Sequence, residues 1–163
     1  MSEVFFDISE ILQLGIRIEE NGERYYRMVA DMVKNAEIKE IFLFLADEEK
    51  NHRRKFQEIL SDIAREHLPV ETYTGEYFAC LNAYADTVVF PPQIGKELEK
   101  MEDIIESINF AIGREIDSIA YYNEIKKVVP KTQHSLVDKI IEEEKGHFIK
   151  LSKLKEEMKK KGG

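Results

Sequence analysis

The chain has 163 residues, 43% hydrophobic and 34% charged, with 8 Gly, 4 Pro and a formal net charge of −8. Its length and apolar content suit one folded domain, and so few turn formers point to long helices, excluding a β-protein or a disordered chain. The acidic balance excludes a nucleic-acid surface, which needs clustered Lys and Arg; the run Lys159-Lys160-Lys161 reads as a solvated helix end.

Asp7-Ile8-Ser9-Glu10 has the form of a capping box ahead of a first helix. That helix carries the stripe Ile8, Leu12, Gly15, Glu19, Gly22, Tyr26, Val29 and Val33, in alternating steps of four and three. Lys34 to Glu37 reads as a short connection. A second stripe follows with Phe42, Leu45, Glu49, His52, Phe56 and Ile59, and fades near Leu68-Pro69 because a residue before proline disfavours the helical region. Residues 69 to about 92 break the pattern with Pro69, Gly75, Pro91 and Pro92, although the aromatic-rich piece Glu76 to Ala85 suits a short helix. The third stripe runs Met101, Ile104, Ile108, Ala111, Glu115, Ser118, Tyr122, Ile125 and Val129, and stops at Pro130. Thr132 or Ser135 is placed to cap a fourth, with Val137, Ile140, Glu144, His147, Leu151 and Leu154.

Short links make each helix pair an antiparallel hairpin, while the long middle connection permits a crossover that leaves helices two and three parallel. The expected fold is therefore all-α: a four-helix bundle of two homologous hairpins joined by a long crossover. The whole chain, 1–163, reads as one domain, with hairpins over about 8–66 and 96–160 and the crossover over about 67–95. No apolar run approaches the ~20 residues that span a bilayer, so no membrane partner is expected. The first residues lack the basic and apolar parts of a signal peptide, which points to the cytoplasm. Cys80 is the only cysteine and reads as a small buried apolar residue; intrachain disulfides and cysteine-ligated iron are excluded.

The chemistry lies in a repeat. Glu49-Lys-Asn-His52 and Glu144-Lys-Gly-His147 stand 95 residues apart, each with a carboxylate and an imidazole one helical turn apart. Each is preceded by a matching segment centred on Glu19 or Glu115. Both of these Glu have Ile three residues before, a small residue three after (Gly22, Ser118) and Tyr seven after (Tyr26, Tyr122). All six Glu and His residues fall on the apolar stripes, whereas Glu20, Glu23, Glu48 and Glu143 fall on the opposite faces, with Glu20, Glu48 and Glu143 as rivals of lower rank. Four carboxylates aimed into one core cannot all stay ionised without compensation, because an isolated buried charge costs several kcal/mol. Two divalent cations would balance them, with two imidazoles completing an oxygen and nitrogen shell that suits iron or manganese. Tyr25 and Tyr121 read as packing or surface residues, His67 and His134 as surface or capping residues, and Asp86 and Asp117 as solvated.

This arrangement resembles the ferritin-like di-iron carboxylate family, and within it the rubrerythrin group, over roughly residues 8 to 155. The template of one Glu from each of two helices plus Glu-x-x-His from each of the others is a known one. The resemblance implies that Glu19, Glu49, His52, Glu115, Glu144 and His147 bind two iron ions, with manganese or a mixed pair as substitutes. It also implies that Glu49 and Glu144 bridge the metals and that Tyr26 and Tyr122 hydrogen-bond ligand carboxylates. Ser118 stands where typical rubrerythrins carry an extra Glu, and the four cysteines of their rubredoxin domain are lacking here. The implied function is an oxidoreductase of peroxidase or ferroxidase type acting on peroxide or dioxygen, with electrons from an external donor protein. The alternative is iron binding without redox turnover. A homodimer is consistent with the family.

Overall fold

Heptad-like apolar stripes turn into four long helices: α1 (Ile8–Met32), α2 (Ala36–Arg65), α3 (Met101–Val128) and α4 (His134–Gly162). The computed structural model describes residues 5–6, 8–65, 73–74, 76, 79, 83 and 101–162. The Asp7 capping position, His67, Cys80, Asp86 and most of the expected crossover lie outside the described residues. Within the expected short helix Glu76 to Ala85, the described residues Glu76, Ala79 and Ala83 are helical.

Helix ends follow from local chemistry. α2 begins at Ala36, two residues earlier than the expected link of Lys34 to Glu37 allows, because Asn35 Oδ1 accepts a hydrogen bond from the Ile38 amide at 3.1 Å and caps the new helix. At the end of α3, Val129 N still donates to Ile125 O at 3.0 Å, and Pro130, which has no amide hydrogen, stops the ladder. A 3-10 turn, Lys131–Gln133, then leads into α4. The residue ahead of α4 is Gln133, so neither Thr132 nor Ser135 occupies the capping position. His134 instead reaches back, with its ring nitrogen 3.2 Å from Val129 O. One feature of the fold has no forerunner in the helical pattern: Phe5–Phe6 (β1) pairs antiparallel with Tyr73–Thr74 (β2), in register Phe5 to Thr74 and Phe6 to Tyr73. Aromatic and β-branched residues favour such extended pairing, which two residues per strand hold locally without altering the all-α class.

The direction of each helix is fixed by which residues meet. Arg27 pairs with Asp47 and Glu23 with Arg53, each at 2.9 Å, so α1 and α2 are antiparallel. Lys126 pairs with Asp138 at 2.6 Å, making α3 and α4 antiparallel. Tyr26 meets Glu115 and Tyr122 meets Glu19, so α1 and α3 are antiparallel as well. Helices α2 and α3 therefore run parallel. Among the described residues no helix is long and apolar enough to cross a membrane.

The core is split in two. One apolar cluster joins Ile11, Leu12 and Ile18 of α1 with Phe56 and Ile59 of α2, Tyr122 and Ile125 of α3, and Val137 and Ile140 of α4. The other joins Tyr26 and Val29 of α1 with Phe42 and Leu45 of α2, Ile108 and Ala111 of α3, and Leu151 and Leu154 of α4. Between them lies a single layer of buried polar residues: Glu19, Glu49, His52, Arg114, Glu115, Ser118, Glu144 and His147.

Candidate metal centre

All six expected ligands meet in that layer, each no more than 3% exposed. Ligand-type atoms of Glu19, Glu49, His52 and Glu144 lie within 4.8 Å of one another, and so do those of Glu49, Glu115, Glu144 and His147. The two groups share Glu49 and Glu144, the carboxylates expected to bridge. A third grouping, Glu48 with His52 and His147, is less buried.

The repeat in sequence becomes a pseudo-twofold arrangement in space. Nδ1 of His52 is 3.7 Å from Glu19 Oε2 and 3.4 Å from Glu49 Oε2. Nδ1 of His147 is 3.7 Å from Glu115 Oε2 and 3.3 Å from Glu144 Oε2. The imidazole rings stack with centroids 5.4 Å apart. Tyr26 Oη donates to Glu115 Oε1 and Tyr122 Oη donates to Glu19 Oε1, so each tyrosine steadies a carboxylate on the other helix. Tyr26 packs on Phe42 and Tyr122 on Phe56, with centroids 5.9 and 4.9 Å apart. Tyr25 and Tyr121 are packing residues, buried, with hydroxyls donated to Ser107 O and Ile11 O at 3.0 and 2.8 Å.

Orphaned atoms show that this residue set fits metal ions. Glu19 Oε2, Glu49 Oε2, Glu115 Oε2, both oxygens of Glu144 and Nδ1 of both histidines are buried without a hydrogen-bond partner. Buried polar atoms are nearly always satisfied, so a convergent set of free lone pairs is the signature of a cation-binding layer. The set is hard oxygen with two imidazole nitrogens and contains no thiolate.

Without cations, protons take their place. Burial, with Glu49 and Glu144 close by, pushes Glu19 well above the usual carboxylate range; burial and Glu144 do the same to Glu115. Burial and Glu144 would raise Glu49 too, but the Arg114 guanidinium, together with the close approach of Glu19 and His52, outweighs them and holds it down to about 2. Burial also opposes ionisation of Glu144, yet the close approach of Glu115 and of the two histidines holds it well below the ordinary range. For the imidazoles, burial disfavours the charge, but adjacent carboxylates win: His52 is raised far above 6.5, and His147 to about 11.

Three residues border the site beyond the six ligands: Arg114, which the sequence pattern did not single out, and Glu143 and Glu48, which it ranked only as rival ligands. Arg114 is 3% exposed. It donates from Nη1 to Glu49 Oε1 at 2.6 Å and from Nη2 to Ile18 O at 2.9 Å, and it lies 5.4 Å from the Tyr26 ring centroid. The space it fills exists because residue 22 is glycine: a Cβ there would overlap the guanidinium. The available signal was the mismatch of Ile18 with Arg114 within the repeat. Glu143 was placed on the solvated face, but it meets His52 Nε2 at 2.9 Å and Lys55 Nζ at 2.7 Å. Glu48, its counterpart, lies 3.9 Å from His147 Nε2. A helical turn lets one face flank a buried histidine from behind, which a two-sided reading of the helix overlooks.

An antiparallel four-helix bundle with parallel middle helices and a duplicated Glu and Glu-x-x-His layer defines a ferritin-like di-metal carboxylate protein. Residues 10–155 match the rubrerythrin family, and the chain belongs to that family. It is similar in structure to a hypothetical protein from Pyrococcus furiosus, at 25% identity and a TM-score of 0.71, covering 94% of this chain and 90% of the other. It is also similar to a Thermotoga maritima protein named as a candidate ferritin-like diiron-carboxylate protein, at 29% identity and a TM-score of 0.64, covering 94% and 97%. No curated protein matches the chain.

Proposed function

We propose that the chain is a di-iron oxidoreductase that holds two iron ions through Glu19, Glu49, His52, Glu115, Glu144 and His147 and reacts with peroxide or dioxygen. The observation that carries this reading is the set of buried, unpartnered ligand atoms converging from six residues. Bound there, a ferrous pair would supply the two electrons that such an oxidant takes up. Tyr26 and Tyr122 hold Glu115 and Glu19 in position, while the apolar clusters on either side keep bulk water from the layer. In this reading an electron-donor protein in the cytoplasm re-reduces the pair. Ser118, which offers no carboxylate, supports a second reading in which iron is bound and handed on without turnover.

Anaerobic titration of the metal-free protein with ferrous iron should saturate at two ions per chain. Added peroxide should then remove bound ferrous iron, followed with a ferrous-specific chelator, far faster than it oxidises free iron. Saturation at two with no such acceleration would leave iron handling as the function. Glu49→Ala and Glu144→Ala should each abolish binding of the pair, and retention of both ions by either variant would remove the site as assigned.

A further inference from the structure

The pseudo-twofold symmetry of the ligands is broken by everything around them, and each break points the same way. Glu144 offers both oxygens, with Oε1 2.7 Å from His52 Nδ1 and Oε2 3.3 Å from His147 Nδ1. Glu49 does not. Its Oε2, on the His52 side, is free, but Oε1 is taken by Arg114 Nη1 at 2.6 Å. That same nitrogen lies 3.8 Å from Glu115 Oε1, so a fixed positive charge borders the position served by Glu115 and His147. The counterpart of Arg114 in the other half is Ile18, which brings no charge to the Glu19 side.

The outer partners of the histidines repeat the bias. Behind His52, Glu143 sits 2.9 Å from Nε2 and is itself anchored by Lys55 at 2.7 Å, which fixes the ring and makes Nδ1 a better donor to a metal. Behind His147, Nε2 has no hydrogen bond, and Glu48 stays 3.9 Å away. The lysine that corresponds to Lys55 in the repeat, Lys150, lies over the Phe44 ring at 4.5 Å instead.

We infer that the two metal positions are unequal: the Glu19–His52 position binds a divalent cation tightly and loads first, and the Glu115–His147 position, beside Arg114, binds weakly and exchanges. Arg114 acts as a positioning residue through Glu49 and through its charge. The inference rests on the di-metal reading above and extends it, without requiring any redox reaction.

The test is titration of the metal-free protein with manganous ion, which does not turn over, reading free ion by electron paramagnetic resonance and heat by calorimetry. The wild type should bind two ions in two steps separated by more than about tenfold in Kd. His147→Ala should retain the tight step and lose the weak one, and His52→Ala should do the reverse. Glu143→Gln should weaken the tight step by about 10–100-fold and leave the weak one. Arg114→Gln should tighten the weak step and narrow the separation, while Arg114→Lys, which keeps the charge, should retain it. Circular dichroism checks that each variant is folded. Two equal steps in the wild type, loss of the tight step in His147→Ala, or an unchanged separation in a folded Arg114→Gln would overturn the inference while leaving the di-metal site standing. Saturation at one ion or none would overturn the di-metal reading, and the inference with it.

Discussion

Replacing Gly22 by alanine would set a methyl group inside the Arg114 guanidinium, which is wedged between Glu49 and Ile18 O. Something must move, and overpacking of this kind costs about 1–3 kcal/mol. Gly22→Ala is therefore expected to lower the urea midpoint of the metal-free protein and, by pushing Arg114 off Glu49, to change manganous binding as Arg114→Gln does. Gly146 is the control: it lies mid-helix in α4, and a methyl group there would meet nothing within 4 Å, so Gly146→Ala should gain up to about 1 kcal/mol. An unchanged or raised midpoint for Gly22→Ala would show that the guanidinium has somewhere else to go. These residues also mark where sequence reading stopped. Glu19, Glu49, His52, Glu115, Glu144 and His147 announce themselves by falling on apolar stripes, whereas a glycine and an arginine gain meaning only when two helices are brought together.

At the scale of elements, the stripes were legible because burial follows the helical period: Phe42, Leu45, Glu49, His52, Phe56 and Ile59 of α2 are all fully buried. The ends were less so. Asn35 was hidden among polar neighbours, and the pairing of β1 with β2 joins residues far apart in sequence, where no local pattern reports it. Burial also decides how much each aromatic matters. Phe56 is fully buried, with the Tyr122 ring 4.9 Å away, and Phe56→Ala should cost about 3–5 kcal/mol in chemical denaturation. It should also loosen Tyr122, and with it the hold on Glu19. Phe44 is 46% exposed and touches Lys150 from the solvent side, so Phe44→Ala should cost less than about 1 kcal/mol. Equal losses for the two would mean that the apolar cluster around Phe56 does not carry the bundle.

For the molecule as a whole, the polar layer links stability, protons and metal. The values of Glu19, Glu115, His52 and His147 are all raised in the folded metal-free chain. Such groups contribute stability that is complete below their unfolded values and is lost as pH climbs; for His147 the loss runs from about 6.5 up through about 11. Glu49 works in the opposite sense, contributing above about 4.5 and losing that contribution as pH falls towards about 2. Metal ions must displace the protons of the raised groups, about four for two divalent ions, so the charge of the layer is conserved on exchange. The rise in Tm on adding manganous ion is accordingly expected to be larger at pH 8 than at pH 5.5, with protons released into a weak buffer. A rise that shrinks with pH would mean the layer is not where the ions bind. The fit between Gly22 and Arg114 has one more consequence, and it concerns history. A chain made of two copies of the first hairpin would offer the vacant space twice and the guanidinium never, since Ile18 stands in place of Arg114. Two copies of the second would carry two guanidiniums, each facing the side chain of Ser118 where glycine is needed. The halves of this repeat are no longer interchangeable: the glycine of one makes room for the arginine of the other, and exchanging the two positions singly leaves either an overlap or an unfilled space.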